Sequence, residues 1–409
     1  MSRIPPQPDS AASWLRLALA LVLSTIGGVG MWSVVVALPA VQADFGSARA
    51  DASLPYTLAM IGFAAGGIGM GRLADRFGIV VPVIGSAVAL GIGYVAAAAA
   101  PNLTWFALAH GLLIGVASSA TFGPMMADVS QWFVRRRGIA VAVCASGNYL
   151  AGTFWPPVLQ HFFGTVGWRQ THLGIALFCT ATMLPLAFLL RGTPPARSSL
   201  AADGRQPASS AALGLSPGTL LAVLAVAGVA CCVAMAMPQV HIVAYCGDLG
   251  YGVARGAEML SLMLGFGIVS RIASGFVADR IGGIATLLLG SGLQGLALLL
   301  YLAFDGVTSL YVISALFGLF QGGIVPSYAI IVREYFPAQE AATRLGVVLM
   351  ATLVGMAFGG WLSGAIFDLT GSYKAAFLNG TLWNLVNFAI VAWLMMRSTW
   401  RMRLQGSAA

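Results

Sequence analysis

Long apolar runs, each about twenty residues, follow one another along this chain with short polar interruptions. A run of that length spans a bilayer as a helix at ~1.5 Å per residue. Twelve such segments are predicted, near 14–39, 53–74, 79–99, 104–131, 138–162, 170–191, 217–242, 254–279, 284–304, 307–333, 343–367 and 374–397. The first run is too long for a signal-peptide core and has no clear A-x-A site, so no cleaved leader is expected. Between the sixth and seventh runs lies "GTPPARSSLAADGRQPASSAALGLSPG", rich in Pro, Ser and Ala. It reads as a flexible linker, 192–216, between six-helix bundles at 1–191 and 217–409.

Composition agrees with the pattern. The chain has 409 residues, of which 59% are hydrophobic and only 8% charged. So few charges cannot cover a water-soluble protein of this size, and the chain is expected to be an all-α, polytopic membrane protein. Its 51 glycines would weaken soluble helices, but in membranes they let helices pack closely and slide. The five cysteines include no C-x-x-C pair and read as small buried residues; the four histidines lack metal-ligand spacing. No metal or cofactor is expected.

Charge placement sets an orientation. Of the 21 Lys and Arg residues, sixteen fall on the side of both termini, Arg49, Arg169, Arg255 and Lys374 fall opposite, and Arg271 remains. The positive-inside rule then places both termini in the cytoplasm, in a cytoplasmic membrane. It also accounts for the net charge of +8 through anionic lipid, without a nucleic-acid partner.

The halves repeat. "GRLADRFG" (71–78) follows the second run and "GFVADRIGG" (275–283) follows the eighth, 204 residues later. "GWRQTHLG" (167–174) and "GSYKAAFLNG" (371–380) keep the same offset, and "WFVRRRG" (132–138) corresponds to "YFPAQEAATRLG" (335–346). Parallel repeats of this kind build many secondary transporters. In the repeated turn, Gly71 and Gly275 are expected to allow close helix approach, and Gly78 and Gly282 a tight turn. Asp75 and Asp279 sit where a carboxylate can meet a helix N-terminus. Arg76 and Arg280 are expected to reach Asp128 and Glu334 at neighbouring helix ends. Such contacts would close one conformation and break in another; the plainer reading is a positive loop that only sets topology.

These turns resemble the signature loops of the major facilitator superfamily, and the resemblance covers nearly the whole chain. Within it, "WFVRRRGIAVAVCASGNYLAG" (132–152) and "RIASGFVADRIG" (271–282) resemble the monocarboxylate and oxalate/formate carriers. The resemblance implies alternating access of a small organic anion between two six-helix halves, in a single-chain functional unit.

Arg271 lies eight residues before Asp279, about 12 Å inside the membrane at ~1.5 Å per residue. A charge there costs at least ~2.5 kcal/mol unless it meets a cavity or partner. No acid stands in the middle of any predicted span, which leaves two readings. A bound carboxylate is the counter-ion, matched by the planar guanidinium fork; or the arginine is structural, bonded to carbonyls or reaching down to Asp279. The resemblance also places Arg271 at the substrate arginine of these carriers. Two departures follow. Gly267 stands where many monocarboxylate carriers have a proton-coupling aspartate, and Thr352, aligned through "AFGG", stands where the oxalate carrier has a second cation. One cation suits a monocarboxylate. The missing aspartate leaves proton coupling without a visible relay, and "GGVGMWSV" (27–34) lacks the acid of many eukaryotic members.

Weaker cavity candidates are His110, which could carry a proton or simply pack, Asn148, Tyr149, Gln321, Tyr328 and Phe358. Trp32, Met235 and Phe358 are candidates for an apolar wall, and Asn384 and Asn387 read more simply as interhelical contacts. The expected function is secondary transport of a small monocarboxylate, coupled to protons. The alternatives are an anion exchanger, a sensor with a transporter fold, and a proton-coupled exporter of hydrophobic compounds. Exporters often carry G-x-x-x-G-P-x-x-G-G in the fifth span, which "SGNYLAGTFWPP" (146–157) does not match. No Walker-type loop and no nucleophile–base pair within the spans points to an ATPase or another enzyme.

Overall fold

The computed structural model describes residues 7–192 and 213–406, all in helices and short turns. Most of the expected linker, 192–216, lies outside the described residues. The first span is Ala11–Gly27 and Val29–Phe45, meeting at Gly28. Arg49–Phe77, Val80–Ala98 and Trp168–Leu189 are the second, third and sixth. Pro217–Asp248, Val253–Ile281, Gly283–Ala303, Ala338–Thr370 and Tyr373–Gly406 are the seventh, eighth, ninth, eleventh and twelfth.

Eleven helical segments among the described residues are long and apolar enough to cross a membrane. The expected fifth span, 138–162, is not one of them. It forms Arg137–Ala145 and Gly147–Thr165, broken at Ser146, and carries Asn148, Gln160 and His161, which dilute its apolar run. The fourth span is also irregular, with a π-helical turn at Ala109–Gly115 that contains His110. The tenth divides into Val307–Gln321 and Ile324–Tyr335 at Gly322–Gly323.

The residues group into two units, Met1–Ala202 with Val243–Ser261, and Asp203–Ile242 with Leu262–Ala409. Each has its own close helix crossing. In the first, a β-carbon on Gly62 would lie 1.9 Å from the Gly111 carbonyl oxygen; in the second, one on Gly318 would lie 1.9 Å from that of Met263. Here backbones touch, which only glycine permits, and van der Waals contact replaces the hydrophobic drive that lipid cannot supply.

The expected tight turns are present: Gly78 and Gly282 adopt φ of 78° and 82°. The expected close approach at Gly71 and Gly275 is not, because both face open space. The backbone contacts that small residues permit lie deeper in the helices, at Gly62 and Gly318.

Candidate functional site

Arg271 is half-buried in the eighth span, with its Nε shielded. Its turn is held against the break in the tenth span. Ser270 Oγ accepts a hydrogen bond from the Gly323 amide at 3.1 Å. A β-carbon on Gly322 would lie 2.3 Å from the Gly267 carbonyl oxygen, and one on Gly323 would lie 2.3 Å from Ser274 Cβ. Residues 267–274 therefore cannot slide independently of Gly322–Gly323. The break leaves Gln321 at a helix end beside this crossing. Gln321 is fully buried, and its Oε1 accepts from Gln239 Nε2 at 3.1 Å. That bond fixes the amide, and no acceptor among the described residues meets Gln321 Nε2.

Two other candidates of this unit lie elsewhere. Tyr328 is fully buried and donates to Asn387 Oδ1 at 3.1 Å; Asn387 Nδ2 in turn donates to Ser291 Oγ at 2.7 Å, and Asn384 Nδ2 to the Ser291 carbonyl at 3.0 Å. These residues join the ninth, tenth and twelfth spans, as their polar groups require inside a bilayer. Phe358 is 40% exposed and packs near Trp361 and Trp383. Thr352 is buried against Gly228 of the seventh span, and its hydroxyl is turned to the Leu349 carbonyl at 2.7 Å.

In the first unit, Asn148 is half-buried, its carbonyl accepts from Trp32 Nε1 at 3.1 Å, and Tyr149 beside it is buried. His110 is fully buried among aromatic rings, and its Nδ1 lies 3.0 Å from the Phe106 carbonyl oxygen.

The charged ends differ from expectation. Asp128 does not receive Arg76. It takes both prongs of Arg16, Nε and Nη2, at 2.7 Å each, while Arg16 Nη1 donates to the Leu190 carbonyl at 2.7 Å. The planar fork of Arg16 satisfies both carboxylate oxygens, whereas Arg76 is exposed. Glu334 does not receive Arg280. It accepts the Gly283 amide at 3.1 and 3.3 Å, at the positive N-terminus of the ninth span. Glu334 thus fills the helix-end place expected of Asp279. Asp75 and Asp279 are exposed and make no ion pair among the described residues.

One contact has no signal in the local sequence. Asp9, before the first span, accepts the successive amides of Val134, Arg135 and Arg136 at 3.1, 3.0 and 3.1 Å. Burial alone would raise its pKa. The three amides and the Arg136 charge outweigh that and hold the carboxyl below its ordinary value. A depressed carboxyl stabilises the docked segment above the unfolded pKa and loses that contribution as pH falls through the folded one. Protection of the amides at residues 134–136, taken against the intrinsic exchange rate at each pH, should therefore be high near neutrality, lower in acid, and low at both in Asp9→Ala. Equal protection in the variant at neutral pH would contradict the contact.

The helices and broken spans define a multi-pass membrane protein of transporter architecture. The sequence matches the family model described as Major Facilitator Superfamily over residues 20–308 and 274–404, and the chain belongs to that family. It is 29% identical over 319 residues to monocarboxylate transporter 13 of Bos taurus, covering 75% of this chain and 71% of that one. It is 28% identical over 390 residues to monocarboxylate transporter 11 of Mus musculus, covering 91% and 85%. The MFS-type transporter pynF of Aspergillus niger is 24% identical over 309 residues, covering 74% and 69%. Among solved structures, the nucleoside transporter NupG aligns with a TM-score of 0.71 at 15% identity, over 93% of this chain and 99% of that one. A bacterial homologue of the lysosomal transporter Spinster aligns at 0.70 and 13%, over 96% and 97%. The protein is a transporter of the superfamily, related to the monocarboxylate transporters.

Proposed function

We propose that this chain moves a small organic monocarboxylate across the cytoplasmic membrane by alternating access of two halves, driven by the proton gradient. Both termini are cytoplasmic in this reading. The observation that carries it is Arg271: a cation within the eighth span, on a turn pinned by Ser270 and Gly323. Its guanidinium takes the carboxylate, and the Gln321 amide, oriented by Gln239, is available as a further donor. Apolar side chains select the tail. Buried, neutral Thr352 offers no second cation, which favours one carboxylate over two. The relation to monocarboxylate transporters 11 and 13 supports the same substrate class. The fungal relatives, one of them the MFS-type transporter pynF, support a second reading, in which the substrate is an organic compound other than a monocarboxylate.

Proteoliposomes test the two readings. Labelled monocarboxylates of two to five carbons should accumulate under an inward proton gradient, and a protonophore should collapse the accumulation. Folded protein that moves none of them would overturn the proposal.

The exposed Asp75 and Asp279 are proposed to act in gating: they engage in a conformation other than this one. Asp75→Asn and Asp279→Asn should slow transport about tenfold or more, since one charged hydrogen bond contributes about 1.5–3 kcal/mol, and leave equilibrium substrate binding within about twofold. Loss of binding in either folded variant would place these residues in the cavity instead.

A further inference from the structure

We propose that His110 and His172 form one proton-binding site inside the first unit, with a single proton held between their Nε2 atoms. The site rests on the proton-coupled reading above only for its use in transport.

Both imidazoles are fully buried. His110 Nδ1 lies 3.0 Å from the Phe106 carbonyl oxygen, and His172 Nδ1 lies 2.7 Å from that of Trp168. A carbonyl only accepts, so each Nδ1 carries a hydrogen and, in a neutral ring, each Nε2 is a bare acceptor. No donor among the described residues reaches either Nε2. The ring centroids are 5.8 Å apart at 68°. The rings are therefore neighbours, and a proton shared between their Nε2 atoms is carried by a bridging water or by a shift of one ring toward the other.

Two buried acceptors with no donor are unfavourable as they stand. One added proton resolves both: the ring that binds it becomes a donor, and its neighbour is the acceptor. A second proton would meet the charge of the first, so the pair titrates as a unit. A metal is a poorer fit, because no group of three His, Cys, Asp or Glu surrounds the site among the described residues.

The surroundings are aromatic. Phe106 lies 4.2 Å from the His110 ring, and Phe163 stacks on His172 at 6.0 Å and 14°. The third span presents Tyr94, with centroids 6.4 and 5.4 Å from the two rings; its hydroxyl is shared with Ser33 of the first span at 2.7 Å. Cys179 of the sixth span is in the electrostatic neighbourhood of Tyr94. The second span, crossing the π turn at Gly62, carries the buried titratable groups Arg49 and Tyr56. Nearer the outer end, Arg169 of the sixth span is paired with Asp44 of the first at 2.7 Å. None of these is a carboxylate placed to hold an imidazolium, so each histidine depends on the other. His110 also sits in a π turn, an arrangement frequent at functional sites.

The test uses the full chain in lipid nanodiscs with ¹⁵N-labelled histidine, titrated from about pH 8 to about pH 4 across the histidine range. His110→Asn and His172→Asn each keep an amide nitrogen for the backbone carbonyl while removing Nε2, and they assign the signals. Expected is one common titration in which both Nε2 signals move and both Nδ1 signals stay protonated. Either variant should shift the remaining histidine to lower pH by about one unit, a tenfold weaker affinity for the proton. Independent midpoints, or two rings neutral throughout, would overturn the proposal in the wild type, whatever the variants do. In proteoliposomes, the folded variants should still exchange labelled acid but lose gradient-driven accumulation; unchanged accumulation would overturn the site's use in transport. If the wild type moves no monocarboxylate, the substrate reading fails while the spectroscopic result still decides the site.

Discussion

Arg271→Gln should abolish measurable carboxylate binding while the protein remains folded. The charge lies in a span of a chain only 8% charged, and its removal relieves the helix of an insertion cost of at least ~2.5 kcal/mol. Glutamine keeps a hydrogen-bonding side chain at that position, while the ligand loses its counter-ion. Truncating one partner of a desolvated, hydrogen-bonded charge pair costs about 2–5 kcal/mol, roughly 30-fold to several thousand-fold in Kd. Arg271→Lys should fall between, because lysine keeps the charge and loses the two parallel donors. A dicarboxylate of similar length should compete poorly, since Thr352 is neutral and packed against Gly228. Binding measured by isothermal calorimetry or by ligand-induced thermal shift reads all three. Equal affinity in wild type and Arg271→Gln would make the arginine a packing residue.

The second large effect falls on stability. Arg16 is only 6% exposed, yet it closes three hydrogen bonds at 2.7 Å and lies 4.4 Å from the centroid of the Trp132 ring. It ties the first, fourth and sixth spans at one end of the first unit. Breaking a buried pair by removing one partner leaves an uncompensated charge and costs about 3–5 kcal/mol. Arg16→Gln and Asp128→Asn should each lower Tm on the order of 10 °C, given about 2–4 °C per kcal/mol in a unit of this size. Removing both charges together, as Arg16→Met with Asp128→Leu, should recover much of the loss, because neither is then left alone. Detergent-solubilised protein followed by tryptophan fluorescence during heating gives the comparison. Single variants within a degree of wild type would contradict the structural role.

Much of the fold was legible because apolar runs of bilayer length have one good solution, a spanning helix. The glycine turns read from the repeat at 204 residues are present, with positive φ at Gly78 and Gly282. The fifth span is less regular than its apolar pattern suggests. Its polar residues and the Ser146–Gly147 step interrupt a run whose average still reads as apolar. Partner choice was the main loss. Asp128 is near Arg135, Arg136 and Arg137 in sequence, but it pairs with Arg16, 112 residues away, and nothing local announces that. Arg16 itself passed as one more topology charge. His172 was also missed, though a signal existed: Phe106 precedes His110 by four residues, and Trp168 precedes His172 by four. That spacing puts each Nδ1 beneath the carbonyl of an aromatic residue. Asn384 and Asn387 were read correctly as interhelical contacts because an amide in lipid must find a partner.

The central claim is that Arg271 binds a carboxylate as its counter-ion. The most direct measurement is competition, in proteoliposomes, between a labelled short-chain monocarboxylate and either the unlabelled acid or its primary amide. The two have the same size and shape, and only the acid carries the charge. The account predicts that the acid displaces the label and that the amide fails at about 100-fold higher concentration, the ratio expected for about 2.7 kcal/mol. An amide that competes as well as the acid, or normal uptake by Arg271→Gln, would contradict it.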